Sequence, residues 1–293
     1  MEYTSFIVQL LIGGLTIGSI YALIAVGFVI TFNVTGVLNL SQGEFAMIGG
    51  LTATSLIAAG LSYPLTFILA ILITMIVGAV FERTSIYPAR NASPLTLIII
   101  TIGASIVLRG IALLIWGTNP HSMAPLDPRE PVQIFQAFIL RQSIWAIVIC
   151  LAMVVLMYFF FYKTYWGKTL RACVINRLAA RVMGIKPTKM SFYTLSISAG
   201  LGALAGIITT PITGATYEMG LMLGLKAFVA AAIGGLNNAP AAIAGGFLIG
   251  IIESLSAGLI SSGYKDAIIF GMLIIVLIFL PNGMFSKSTG KRV

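Results

Sequence analysis

The sequence predicts an all-α polytopic membrane protein with about eight membrane-spanning helices, one or two of them broken or re-entrant. Three observations carry that expectation. Of the 293 residues 59% are apolar and only 9% are charged, too few charges to cover a water-facing surface. The apolar residues fall in runs as long as a bilayer core requires. The positive charge is segregated: Lys163, Lys168, Arg171, Arg177, Arg181, Lys186 and Lys189 share one acid-free stretch. Basic residues accumulate in loops that stay in the cytoplasm, so this stretch sets the expected orientation. The net charge of +9 is therefore read as a topology signal and not as a nucleic-acid surface.

In chain order, residues 6–32 form the first apolar run and hold Gly14-Leu-Thr-Ile-Gly18, a spacing that lets helix backbones approach closely in lipid. Glu2 is the only charge before it, so the run is expected to be a span and not a cleaved signal. Runs at 45–61 and 64–80 follow, then a loop at 82–93 with Arg83 and Arg90. Residues 94–116 are a span holding a single charge, Arg109. The 117–142 loop is proline-rich, of mixed charge, and contains the only histidine, His121. It is expected on the opposite side, with its 135–140 run at the interface and His121 solvated. The 143–162 run ends in an aromatic belt, with Tyr165-Trp166 just beyond it. After the basic loop, 191–212 carries a second close-packing motif, Gly202-Ala-Leu-Ala-Gly206. Runs at 221–236 and 239–259 are separated by Gly234-Gly235-Leu-Asn237-Asn238-Ala-Pro240, a break that only protein or a polar cavity can satisfy at membrane depth. Residues 264–280 form the last run, and Lys287, Lys291 and Arg292 keep the tail with the other basic loops. No Lys or Arg precedes Arg83, so the side of the N-terminus rests on whether every early run crosses. The chain reads as one transmembrane domain over 1–293, with a cytoplasmic loop at 163–190.

Catalytic and nucleotide-binding patterns are absent from the sequence. It has one histidine, eight scattered acids and no G-x-x-x-x-G-K-[ST] loop, so it reads as neither an enzyme nor an ATP-binding chain. Cys150 and Cys173 form no disulfide or metal framework. Polar groups at membrane depth are costly and are the default functional candidates. Asn39, Ser41, Gln42 and Glu44 are the densest such group. They admit two readings: a pathway lining or hinge, or a helix start with Ser41 and Glu44 as a capping box. Gly234, Gly235, Asn237 and Asn238 are the second candidate for pathway or hinge. The motif L-x-L-x7-I-G-G-L occurs at Leu38–Leu51 and again at Leu223–Leu236. As an internal repeat it places both glycine pairs at a shared centre. Arg109 is expected to pair with another helix or to snorkel. Glu253 and Asp266 are candidate pathway acids, and Lys226 has no evident role.

A helical wheel over 168–183 mixes Leu170, Arg171, Val174, Leu178 and Arg181 on one half, with small residues such as Ala179 and Ala180 on the other. A lipid-surface helix would segregate its charges. The small face, ended by Gly184 and Pro187, suits docking in a protein groove; a solvated topogenic loop is the alternative.

At these residues the chain resembles the permease subunits of branched-chain amino acid ABC importers. The likeness rests on Gly18-Ser-Ile-Tyr-Ala-Leu-Ile-Ala-Val-Gly27 with Gly36-Val-Leu-Asn-Leu-Ser-Gln-Gly-Glu-Phe45. It also rests on Gly167-Lys-Thr-Leu-Arg-Ala-Cys173 with Asn176-Arg-Leu-Ala-Ala-Arg-Val-Met-Gly-Ile185, and on Pro281-Asn-Gly-Met-Phe285. The resemblance implies an inner-membrane permease for leucine, isoleucine or valine, embedded in lipid and working with ABC ATPase subunits on the cytoplasmic side. A second permease, related or identical, would complete the pore, and an external binding protein would deliver substrate. ATP would be used by the partners, with no cofactor on this chain. Leu170, Arg171, Arg177, Ala179, Ala180, Arg181 and Gly184 would form the ATPase-coupling surface. The family also includes permeases for urea and short amides; an ABC permease for another small solute, such as a sugar or an amide, is the first alternative, and an ion-coupled secondary transporter is the alternative from another class.

Overall fold

The structure is a computed structural model and describes residues 2–134, 137–236, 238–280 and 283–284. Its order is α1 (Glu2–Thr35), α2 (Gln42–Ala58), α3 (Tyr63–Phe81, prolonged by a wider π turn, Glu82–Ile86) and α4 (Pro94–Trp116). Strands β1 (Val132–Ile134) and β2 (Ala137–Ile139) follow, then α5 (Arg141–Lys163), α6 (Tyr165–Ile175) and α7 (Arg177–Val182). The chain continues through α8 (Pro187–Thr213), α9 (Met219–Gly234), α10 (Ala239–Leu259) and α11 (Lys265–Phe279). Among the described residues, 6 helices are long and apolar enough to cross a membrane: α1, α3 with its π turn, α4, α5, α8 and α10. The shorter helices α2, α9 and α11 pack among them, so the protein is an all-α polytopic membrane protein.

Local sequence sets the helix ends. Ser93 Oγ accepts from Thr96 N at 3.2 Å and Pro94 occupies the first turn of α4, where a missing N–H costs nothing. Gly36 ends the turn after α1 with φ 74, a backbone that favours glycine.

Backbone contact at small residues holds α1, α2, α8, α9 and α10 together. A Cβ on Gly18 would lie 2.8 Å from Phe247 Cα, and one on Gly14 2.7 Å from Ile251 Cα. Thus the Gly14–Gly18 motif is the seam with antiparallel α10. The second motif serves α2: Gly206 lies against the Ala46 carbonyl, and Gly202 against Phe45. The hydrophobic effect gives little between helices in lipid, so such close packing and internal hydrogen bonds carry association. By contrast, α4 and α5 point Leu114, Ile99, Val155 and Phe159 outward, as a lipid-facing periphery does.

Val34 of α1 packs with Leu170, Cys173, Ala180 and Met190. The C-terminal end of α1 therefore lies at the basic-loop face, and its first turns lie opposite, against Ser254 and Gly258 of α10. The first described residues therefore lie on the face opposite the basic loop.

Three local expectations change. The 82–93 stretch begins as a continuation of α3. The 135–140 run pairs in part as an antiparallel hairpin, Val132 opposite Ile139: with Ala137 and Ile139 buried and Phe138 exposed, it follows a strand's period of two. His121 is half-buried and not simply solvated. It exchanges backbone hydrogen bonds with Ala215 at 2.9 and 2.7 Å, and its ring meets the Trp116 carbonyl at 2.9 Å, so it clasps the two loops of that face.

Candidate functional site

Residues 36–45 form a buried junction where α1 turns back into the membrane. Asn39 Oδ1 accepts from Ser41 N at 3.2 Å, a side-chain turn that reverses the chain. Ser41 Oγ donates to the Thr101 carbonyl of α4 at 2.5 Å. Gln42 Nε2 donates to the Ser198 carbonyl of α8 at 2.9 Å, and Ser198 Oγ donates back to Gln42 Oε1 at 2.8 Å. Glu44 Oε1 accepts from Ser105 Oγ at 2.7 Å and pairs with Arg109 Nε at 3.1 Å. Each of these four side chains is at most 1% exposed. The capping-box reading is corrected: Ser41 makes no side-chain cap, because both it and Glu44 are turned sideways to α4. Arg109 is the cross-helix partner that the sequence allowed.

The carboxylate of Glu44 is only half satisfied. Its Oε2 accepts no hydrogen bond among the described residues and lies where a Cβ on Gly220 of α9 would be. Ser105, Ser198 and Gly220 went unrecognised in the sequence, where nothing separates them from other small residues in apolar helices.

A second buried network joins four helices. Lys226 Nζ of α9 meets Glu253 Oε1 of α10 at 2.6 Å and Asp266 Oδ1 of α11 at 2.7 Å. Tyr21 of α1 donates to Glu253 Oε2 at 2.6 Å, and Lys265 adds a longer contact at 3.5 Å. Two lysines offset two carboxylates, so Glu253 and Asp266 are ion-paired across the helices.

The glycine break after α9 lies at the basic face. Gly235 takes φ 120, Gly234 packs on Ala241, and Met284 N donates to the Ile233 carbonyl at 2.7 Å. Asn238 lines an apolar cavity of about 360 Å³ between α1, α5, α6 and α10. Asn237 lies outside the described residues, as do most of the Pro281–Phe285 motif and the basic tail. Gly49 and Gly50 pack against Ala203 and Thr210 of α8. The two glycine pairs are buried in different seams, not at one shared centre.

The basic loop folds as two helices. Thr164 caps α6 by accepting from Gly167 N at 3.0 Å, and Asn176 interrupts it and accepts from Ala179 N at 3.0 Å. The continuous 168–183 wheel is thus replaced by two shorter faces. Leu170 and Ala180 turn inward, and the Arg171 guanidinium stacks 4.4 Å over the Tyr162 ring. Ala179, Arg181 and Gly184 are exposed. Ile175, Val182 and Met183 stand 85%, 84% and 81% exposed, beyond the end of α5. Arg177 begins α7; its side chain lies outside what the structure describes.

A polytopic helical bundle with buried ionic joints and a protruding pair of amphipathic helices is the architecture of a membrane permease. The family profile of the branched-chain amino acid transport system permease component matches residues 10–277, and the chain belongs to that family. It is 33% identical to the high-affinity branched-chain amino acid transport system permease protein LivH of Escherichia coli (strain K12), covering 100% of this chain and 99% of that protein. It is 31% identical to BraD of Pseudomonas aeruginosa, a permease protein of the same description, over 97% of each. The fructose import permease protein FruF of Bifidobacterium longum is 25% identical over 88% of this chain and 73% of its own length.

Proposed function

We propose that this chain is the membrane permease of an ATP-driven importer that carries leucine, isoleucine and valine inward. The carrying observation is its full-length likeness to branched-chain amino acid permeases. In this reading the protein lies in the cytoplasmic membrane, with the basic face and C-terminus inside. An external binding protein delivers substrate, a second permease completes the pore, and two ATPase subunits dock on α6–α7. Residues 1–293 act as one permease domain.

The supporting geometry is the exposed apolar group Ile175, Val182 and Met183, flanked by Ala179, Arg181 and Gly184. Large apolar side chains left exposed on the two loop helices mark an interaction surface. Force applied there reaches the bundle through Leu170, Cys173 and Ala180, which touch Val34 of α1 and Met190 of α8. Both contacts lead to the 36–45 junction: α1 runs straight into it, and α8 supplies Ser198. A shift of α1 against α8 repartners Gln42, and a shift of α2 against α4 repartners Glu44, which makes the junction the hinge and Glu44 Oε2 its free acceptor. No concentrated charged site is needed, because selectivity rests with the external protein.

The test is uptake of labelled leucine by the assembled importer, with capture of its ATPase as a second readout. Val182→Glu and Arg181→Glu are expected to abolish capture and uptake with unchanged elution in detergent. Retained capture removes the docking assignment. The likeness to FruF supports a second reading, sugar import. Competition of uptake by fructose but not by isoleucine would establish it. Uptake by the isolated chain driven by an ion gradient would instead make it a secondary transporter.

A further inference from the structure

A second cavity, about 370 Å³, opens at the basic face between the end of α1, the α3–α4 connection, α7 and the start of α8. Its size falls in the range of small-molecule sites, about 300–1,000 Å³. Its lining combines three chemistries. Glu82, 2% exposed, contributes a carboxylate that has the Ser191 hydroxyl and the Arg83 charge beside it but whose Oε2 accepts no hydrogen bond among the described residues. Arg90 and Arg181 contribute two guanidiniums. Arg90 is positioned 4.5 Å over the Tyr87 ring. Val37, Ile86 and Leu97 supply apolar surface.

These opposite charges share a cavity without pairing: among the described residues no ion pair joins Glu82 to either arginine. A buried carboxylate oxygen left without a donor is costly, so the site has a place for a cationic or N–H group. A cation alone leaves the arginines unanswered, and a phosphate meets Glu82 as a like charge. A zwitterion with an apolar side chain answers all three: its ammonium to Glu82, its carboxylate to the guanidiniums, its side chain to Val37, Ile86 and Leu97.

We infer that this cavity binds a free α-amino acid with an apolar side chain from the basic face. Arg181 belongs to α7, so occupancy ties the docking helix to the α3–α4 connection. This rests on the importer reading: the ligand there is the accumulated product, and its binding restrains the element through which the ATPase acts. The site is then a product sensor built into the permease.

The experiment is equilibrium binding of labelled leucine to the intact chain in lipid nanodiscs, with no binding protein present. Saturable one-to-one binding is expected, displaced by isoleucine and valine. Isovalerate, which lacks the ammonium, and isoamylamine, which lacks the carboxylate, should not displace it. Glu82→Gln and Arg90→Ala should each weaken it about tenfold or more, the effect of losing one charged hydrogen bond. Arg90 is exposed, so its variant keeps the test alive if Glu82→Gln elutes as aggregate. The inference is overturned by no saturable binding at millimolar leucine, by binding indifferent to both substitutions, or by full displacement with phosphate or isovalerate. Uptake by the assembled importer, measured in parallel, separates the two levels. Leucine uptake with any of those outcomes leaves transport standing and removes the sensor. Binding of a different apolar amino acid at this site, with no leucine uptake, keeps the site and removes the leucine assignment.

Discussion

Glu44 and Glu253 are both carboxylates buried among apolar helices, yet they are held in opposite ways. Glu253 has each oxygen occupied at 2.6 Å, one by Lys226 and one by Tyr21, and its lysine also holds Asp266. Glu44 gathers Ser105 and Arg109 onto one oxygen and leaves the other without a hydrogen bond among the described residues. Arg109 is also partly open, at 24% side-chain exposure against 7% for Lys226. A buried charge is thus not one kind of feature. The paired network fixes α1, α9, α10 and α11 to one another, whereas the half-satisfied one sits beside the turn that joins α1 to α2.

The largest effect is expected from Lys226→Met. It leaves Glu253 with only the longer Lys265 contact to a cation and removes the cation that Glu253 shares with Asp266. Removing one partner of a buried pair costs about 3–5 kcal/mol, so thermal unfolding followed by size-exclusion elution in detergent should move sharply downward. Adding Glu253→Gln and Asp266→Asn to the same chain should restore much of the loss, because no unpaired charge remains. If Lys226→Met elutes and melts as wild type but stops uptake, the network is part of the transport path and the contrast with Glu44 collapses.

Glu44→Gln is expected to do the reverse. The amide keeps an acceptor for Ser105, and Arg109 has access to solvent, so stability should change by no more than about 1–2 kcal/mol. Leucine uptake by a fully assembled importer should nevertheless fall about tenfold or more. Wild-type uptake from that variant would reduce the 36–45 junction to packing.

How much of this was legible beforehand follows from what kind of interaction each feature uses. The spans were readable because each is a local property of consecutive residues. The Gly14–Gly18 and Gly202–Gly206 seams were readable because close packing needs a fixed spacing on one helix. The Asn39–Glu44 cluster stood out as polar in an apolar setting, but its capping reading failed because Ser41 and Glu44 satisfy α4 rather than their own helix. Lys226, Glu253 and Asp266 could be singled out but not joined, and Tyr21 could not be singled out at all: they come from four helices, and no spacing in the chain records a contact made across the bundle. The break at Asn176 was missed because the wheel assumes a continuous helix, and a single residue whose side chain accepts from Ala179 N is enough to divide it.

The smallest effect is expected at a loop counterpart of these pairs, on the face opposite the basic loop, where the side chain of the arginine partner Arg129 is 71% exposed. Asp127 meets Arg129 at 2.6 Å and Arg141 at 3.7 Å. Hydrogen bonding from Arg129 first, and then the two guanidinium charges, hold its carboxyl down from 3.8 to about 2 against some desolvation. A depressed carboxyl stabilises the fold fully above its unfolded value and loses that contribution as pH falls through the folded one. The loop should therefore be insensitive to pH from neutrality down to about 4, and should loosen only below that. Surface pairs of this kind contribute little, so Asp127→Asn should leave uptake and melting unchanged. It should, however, speed trypsin cleavage at Arg129 by a few-fold at neutral pH, an order-of-magnitude expectation for a pair of this strength. Unchanged cleavage would mean that the His121–Ala215 bonds and the Leu126–Gln142 hydrogen bond at 3.1 Å hold the loop without it. In that case the ion pair would add nothing that those backbone and amide hydrogen bonds do not already supply, and its strength, like that of the buried pairs, would be set by what else each partner is bonded to.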